Sequence, residues 1–210
     1  MNYNLNEIVR YMGGNAKSID SKYKDHIESC WEKFTSTVIA KHEYLTANIN
    51  VKNNTVILKD LDIIIESQHL SRHLKNCDKI VILLSSLGVR ASNIIRKSSI
   101  ISSTEELIYN AIANYFLEEY NDIIQTQLNE IHGCTTNRFG TGYGDLDLSY
   151  NESLLRLFPN KIGVSINSSY IFNPKKTTLS IIGVGKKYID HKSGCIKCNL
   201  KDSCIFRKEN

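Results

Sequence analysis

A chain of 210 residues with 41% apolar side chains has room for one domain, or one domain with a small appendage, and enough apolar groups to bury a core, which argues against disorder. The net charge of +4 is mild, the lysines are scattered, and no basic run is interleaved with aromatics, so no nucleic-acid partner is expected. Residues 1–10 are polar without the apolar stretch of a signal peptide, and no apolar run approaches the ~20 residues that cross a bilayer, so no membrane partner is expected either. The expected location is the cytoplasm, where disulfides rarely persist.

Residues 18–38 are predicted to be a helix. Tyr23, Ile27, Cys30, Trp31, Phe34 and Val38 recur at intervals of three and four and make one apolar stripe, with Asp20 or Ser18 as cap. Residues 42–66 change to short β-rich runs at 44–49, 55–58 and 63–65, with Asn53-Asn54 as a turn between the first two. A short helix over 67–75 follows, with Leu70 and Leu74 four apart. Residues 79–84 form a continuous apolar run that fits a strand covered on both faces, ended by Ser85-Ser86-Leu87-Gly88. A short helix is predicted over 91–97. Cys30 and Cys77 fall in patterned segments and read as core or incidental residues.

Ser103 opens the clearest helix. Ser103-x-x-Glu106 reads as a capping box. Ile108, Ala111, Ile112, Tyr115, Phe116, Tyr120, Ile123, Ile124, Leu128 and Ile131 then supply the stripe, and Gly133 suits the C-cap. At ~1.5 Å per residue this helix would be about 42 Å long. Beyond it come a short helix over 152–158 stopped at Pro159, then strands over 161–167 and 177–184 joined through Asn173-Pro174. Strand runs mixed with helices, without regular βαβ alternation, predict an α+β fold. The expected form is a single domain with a largely antiparallel twisted sheet and a long central helix leading into a glycine-rich ligand loop.

That loop reads Arg138-Phe139-Gly140-Thr141-Gly142-Tyr143-Gly144-Asp145. Glycine admits positive φ and close approach by a ligand. Arginine offers a planar fork for a carboxylate, and tyrosine adds a flat ring and a hydroxyl. Together they suit a small, flat, partly charged ligand, and a tight surface turn is the plain alternative. Gly133, Gly140, Gly142 and Gly144 are four of the eleven glycines, more than a connector needs. Gly140-x-Gly142-x-Gly144 superficially matches the Rossmann fingerprint, which follows a strand and opens a helix. Here a helix C-cap and the polar Cys134-Thr135-Thr136-Asn137 precede it, and Asp145 and leucines follow, so that reading is set aside.

An ordered series of motifs runs through nearly the whole chain. Val9-Arg10-Tyr11-Met12-Gly13 opens it, and Leu70-Ser71-Arg72-His73-Leu74-x-x-Cys77 and Leu87-Gly88 flank the apolar strand. Arg138-x-x-x-Gly142-Tyr143-Gly144-Asp145 is followed by Ile162-Gly163-Val164, Pro174-Lys175-Lys176 and Ile181-Ile182-Gly183, then by Cys195-x-x-Cys198 with Cys204-x-x-Arg207. The series resembles the S-adenosylmethionine-binding activation domain of vitamin B12 (cobalamin)-dependent methionine synthase, most closely the short free-standing relatives of that domain. The chain departs from the full-length synthases at Phe139 and Thr141, where they carry prolines. It also has Asn167-Ser168-Ser169 where many relatives carry Thr-Glu-Ser.

The resemblance implies an activation-like domain over 1–188 and a cysteine-rich tail over 189–210. It implies binding of S-adenosylmethionine and support for reductive methylation of cob(II)alamin in a methionine synthase lacking its own activation domain. The chain would then act as a methyltransferase component in methionine biosynthesis only with that corrinoid-bearing partner and an electron donor such as a flavodoxin or ferredoxin. The methyl donor is already electrophilic and reduced cobalt is nucleophilic, so orientation is the main contribution and no acid–base pair is required. By resemblance Arg138 would grip the methionyl carboxylate and Gly140 and Gly142 would let the backbone approach. Tyr143 would pack beside the ligand or toward the corrin, and Glu118, or else Glu119, would stand near a positive group. The alternative is a non-catalytic corrinoid- or ligand-binding accessory protein with a metal or redox tail. Cys195, Cys198 and Cys204, spaced Cys-x2-Cys-x5-Cys, suit a metal better than disulfides in a cytosolic protein. Cys134 or His191 would be the fourth ligand of a zinc or of an iron–sulfur cluster, and an unmetallated tail is the third reading.

Overall fold

The computed structural model describes residues 1–185. In chain order they form α1 (Leu5–Tyr11), a 3-10 turn at Ala16–Ser18, α2 (Ser21–Thr37), β1 (Lys41–Lys52), β2 (Thr55–Leu58), β3 (Ile63–Glu66) and α3 (Gln68–His73). There follow β4 (Cys77–Ser86), α4 (Gly88–Ile101), α5 (Ser103–His132), β5 (Phe139–Gly140) and α6 (Tyr150–Leu155). A 3-10 turn at Lys161–Gly163, β6 (Ser165–Ile166), β7 (Phe172–Asn173) and β8 (Thr177–Gly185) complete the chain. Among the described residues no helix is long and apolar enough to cross a membrane.

The long-period segments form as their residues dictate. The Asp20 carboxylate accepts from the Tyr23 amide at 2.8 Å and starts α2, whose Ile27, Cys30, Trp31 and Phe34 are buried. α5 runs for 30 residues, ~45 Å at the usual rise. Its cap is one residue earlier than the expected box: Ser102 has extended backbone, and its Oγ accepts from the Glu105 amide at 3.0 Å. Gly133, at φ +79°, ends the helix and donates its amide to the Asn129 carbonyl.

Other expectations need correction. The run over 161–167 is not one strand. Lys161 and Ile162 take positive φ in a 3-10 turn, and only Ser165–Ile166 pairs, with Phe172–Asn173. The helices expected at 67–75, 91–97 and 152–158 are Gln68–His73, Gly88–Ile101 and Tyr150–Leu155. α1, unforeseen, is capped by Asn4, whose side chain accepts from the Glu7 amide.

The chain divides into two compact units. The first, residues 1–39 and 87–120, contains α1, α2, α4 and the first part of α5. Its aromatic cluster centres on Trp31, whose ring lies 5.6 Å from Tyr115 and 5.9 Å from Phe116, with Phe34 edge-on to Phe116 at 5.7 Å.

The second unit, residues 40–86 and 121–185 of the described chain, contains the sheet. Six strands lie in the order β3-β2-β1-β4-β8-β5, every pairing antiparallel. The sheet curls because β1 serves two partners: Lys41 to Asn48 pair with β4, and Ile49 to Lys52 pair with β2. β4 is buried from Ile80 to Ser86, as its apolar run predicts. One core joins Ile80, Ile82 and Leu84 of β4 with Leu179 and Ile181 of β8, α3's Leu70, and α6's Leu154 and Leu155. The α5 end of this unit is tied down by polar groups. Ser85 Oγ donates to Asn121 Oδ1 at 2.5 Å, and Asn121 Nδ2 donates to Thr178 Oγ1 at 3.1 Å.

After α5 the chain is clasped to β8. The Thr136 amide donates to the Gly183 carbonyl and the Gly183 amide donates to Thr136 Oγ1, both at 2.8 Å. The approach is so close that a Cβ on Gly183 would fall 2.5 Å from Cys77 Sγ and 2.7 Å from Leu74 Cδ2. The α+β class, the antiparallel sheet and the long helix running on to the glycine-rich loop are thus as expected.

Candidate functional site

The clasp delivers Asn137 and Arg138 to the sheet edge, where Phe139 pairs with Ile181 and Gly140 with Ser180. Arg138 Nη2 donates to Asp122 Oδ1 on α5 at 2.7 Å. The Arg138 side chain is 20% exposed and that of Asp122 58%. The guanidinium is thus mostly covered, and its bond to Asp122 is short and charge-assisted.

Past β5 the backbone turns back on itself. The Gly142 amide donates to the Leu146 carbonyl at 2.7 Å, and the Leu146 amide donates to Tyr143 at 3.0 Å. Two glycines are required by this path. Gly142 and Gly144 take φ of +82° and +58°, and a Cβ on Gly144 would fall 2.1 Å from His69 Nδ1. Gly140 has ordinary φ, and a Cβ there would touch the Tyr143 ring at 3.5 Å. Tyr143 is 69% exposed, with its ring 6.3 Å from that of Phe139.

Phe139 and Thr141, the departures from the synthase loop, both have local partners. The Phe139 ring lies 5.2 Å from His73. Thr141 Oγ1 donates to buried Asn151 Oδ1 at 2.6 Å, and Asn151 Nδ2 donates to the Tyr170 carbonyl at 3.0 Å. His73 Nε2 donates to the Asn137 carbonyl at 2.9 Å. Burial lowers the His73 pKa and this bond opposes part of the shift, which keeps the imidazole neutral at neutral pH.

Asp145 closes the loop. Its carboxylate accepts from Ser67 Oγ at 2.6 Å, the Gln68 amide at 2.7 Å and the His69 amide at 3.1 Å, at the start of α3. These bonds, Ser67's first, hold its pKa down to about 2 against its small desolvation.

The remaining expected site residues fall elsewhere. Glu118 is exposed on α5 in the first unit, where its charge, second to burial, raises the Tyr11 pKa. Glu119, in the same unit, lies beside Tyr115. Cys195, Cys198, Cys204 and His191 lie outside the described residues. Cys134 is a half-buried free thiol, and Cys30 and Cys77 are free as well. Asp122, Asn151, Ser67 and Asp145 were missed as partners. Asp122 alone carried a signal, since it is four residues beyond Glu118 and therefore on the same helix face.

This loop can bind. It sets an arginine ion-paired with Asp122, backbone made approachable by glycine, and an exposed aromatic ring side by side in sequence. No protein-family model matches the sequence, and no curated protein matches it. In structure the chain is similar to the MetH reactivation domain bound to AdoHcy, with a TM-score of 0.59 and 9% identity, over 87% of this chain and 76% of that chain. The fold is therefore that of the MetH reactivation domain.

Proposed function

We propose that this chain binds S-adenosylmethionine at the 138–145 loop and reactivates a cobalamin-dependent methionine synthase by supporting reductive methylation of its cob(II)alamin. The observation that carries the proposal is the likeness to a reactivation domain seen with AdoHcy, in a chain whose glycine loop carries Arg138 ion-paired with Asp122. The partner's corrin, reduced by one electron from a flavodoxin or ferredoxin, supplies the nucleophile for the sulfonium methyl group. This chain's residues hold the methyl donor. Arg138 exchanges Asp122 for the methionyl carboxylate, and the released Asp122 is then available to the α-ammonium. The backbone at Gly140 and Gly142 lies against the ligand, and the Tyr143 ring covers it. Glu118 is assigned, by the resemblance alone, to a positive group of the ligand. The tail thiols of Cys195, Cys198 and Cys204 hold zinc or an iron–sulfur cluster in this reading.

Calorimetry tests the anchor. Arg138→Ala is expected to weaken S-adenosylmethionine binding by ~1.5–3 kcal/mol, the scale of a charge-assisted hydrogen bond. Unchanged affinity removes Arg138 from the site. Incubation with a cob(II)alamin-loaded synthase, reductant and S-adenosylmethionine tests the activity. Methylcobalamin formation is the expected result, and binding without it leaves a non-catalytic accessory protein.

A further inference from the structure

Away from the loop, in the first unit, we propose that His26, Cys30 and Glu105 form a binding site for one divalent cation of the zinc type. His26 and Cys30 are four residues apart on α2 and so share one helix face. Glu105 comes from the first turn of α5, which Ser102 fixes by capping. His26 Nε2 lies 2.7 Å from Glu105 Oε1, and Cys30 Sγ lies 4.0 Å from the same nitrogen. All three donor atoms lie within 4.8 Å of one another.

The geometry is close to what a tetrahedral ion needs. Zinc bonds of ~2.0–2.3 Å place neighbouring ligand atoms about 3.3–3.7 Å apart. The imidazole–carboxylate pair has to open, and the imidazole–thiol pair to close, by only about half an ångström to reach that range. One sulfur, one imidazole nitrogen and one carboxylate oxygen form a donor set that favours zinc over magnesium or calcium. Three protein ligands also leave a fourth position for solvent or a small ligand. The site is lopsided in the way such a position requires: Cys30 is 4% exposed, whereas the His26 side chain is 44% exposed. The Tyr109 hydroxyl is hydrogen-bonded to Cys30, an outer contact that orients the sulfur. The ion pair and the apolar stripe of α2 account for these residues one by one; what makes them a ligand set is that thiol, imidazole and carboxylate meet within 4.8 Å. On binding, Cys30 gives up its proton and ligates as thiolate, His26 ligates as neutral imidazole, and no electron moves.

The test uses the full chain with Cys195, Cys198 and Cys204 all changed to serine, so that tail thiols do not contribute, and Co²⁺ as the spectroscopic probe for zinc. About one equivalent is expected to bind with a thiolate-to-cobalt absorption band that Zn²⁺ displaces. The band is expected to vanish in Cys30→Ser, and affinity to fall at least ~10-fold in His26→Gln and in Glu105→Gln. His26 is half exposed, so His26→Gln tests the site without disturbing the core. A missing thiolate band before Cys30 is changed, or unaltered affinity in His26→Gln and Glu105→Gln, overturns the site.

Discussion

Asp145 ties the glycine loop to the start of α3. Three donors at the start of α3 hold its carboxylate, and its pKa falls to about 2 from an ordinary 3.8. A folded-state pKa below the unfolded one contributes stability that is present above about pH 4 and is lost as pH falls through about 2. Asp145→Asn keeps the shape and removes the charge. Its denaturation midpoint is expected to change less between pH 4 and pH 2 than that of the unaltered protein, measured by urea titration across that window. Superimposable pH profiles would remove Asp145 as the source of the acid sensitivity. At this scale the sequence offered the loop's residue types but not the partners they meet. Arg138 and its glycines carry their chemistry in their side chains or lack of them. Their partners lie 10 residues away for Thr141 and Asn151, 16 for Arg138 and Asp122, and 78 for Ser67 and Asp145, so only folding joins them.

Among the elements, α5 gives the sharpest test of a boundary. Sequence spacing favours Ser103 as the cap, whereas the geometry puts Ser102 outside the helix with its hydroxyl on the Glu105 amide. Ser102→Ala is expected to cost ~1 kcal/mol of stability, and Ser103→Ala to stay within ~0.5 kcal/mol. Chemical denaturation of the two variants checks the order, and the reverse ranking would put the cap at Ser103. α2, α5 and β4 were legible because each sustains one period over many residues. α1, with seven residues, and β5, with two, are too short to establish a period. The 161–167 segment misleads for a different reason. Ile162 and Val164 look like alternating strand positions, but Lys161 and Ile162 take φ of +50° and +41°. Positive φ is rare for a β-branched side chain, and sequence pattern gives no sign of it.

For the molecule as a whole, the mixture of periods was enough to give the α+β class but not the strand order. β4 and β8 are central neighbours, yet paired Ser86 and Thr177 stand 91 residues apart, with α4 and α5 between them. The pairing rests on apolar fit. Ile82 is fully buried, pairs with Leu45 on one side and Ile181 on the other, and belongs to the main core. Ile82→Ala is expected to destabilise by ~2–5 kcal/mol, read as a lower urea midpoint with unchanged slope. A loss below ~1 kcal/mol would mean that the sheet centre repacks freely around the cavity.

The clearance at Gly183 couples distant positions of the sequence. A methyl group there would overlap Cys77 Sγ and Leu74 Cδ2, beside the paired bonds to Thr136. With the side chains of this sequence, the strand and the crossing leave room for glycine at that place and for nothing larger. Alanine at 183 is therefore admitted only together with smaller side chains at 74 and 77, which ties three positions far apart in the chain into one packing unit.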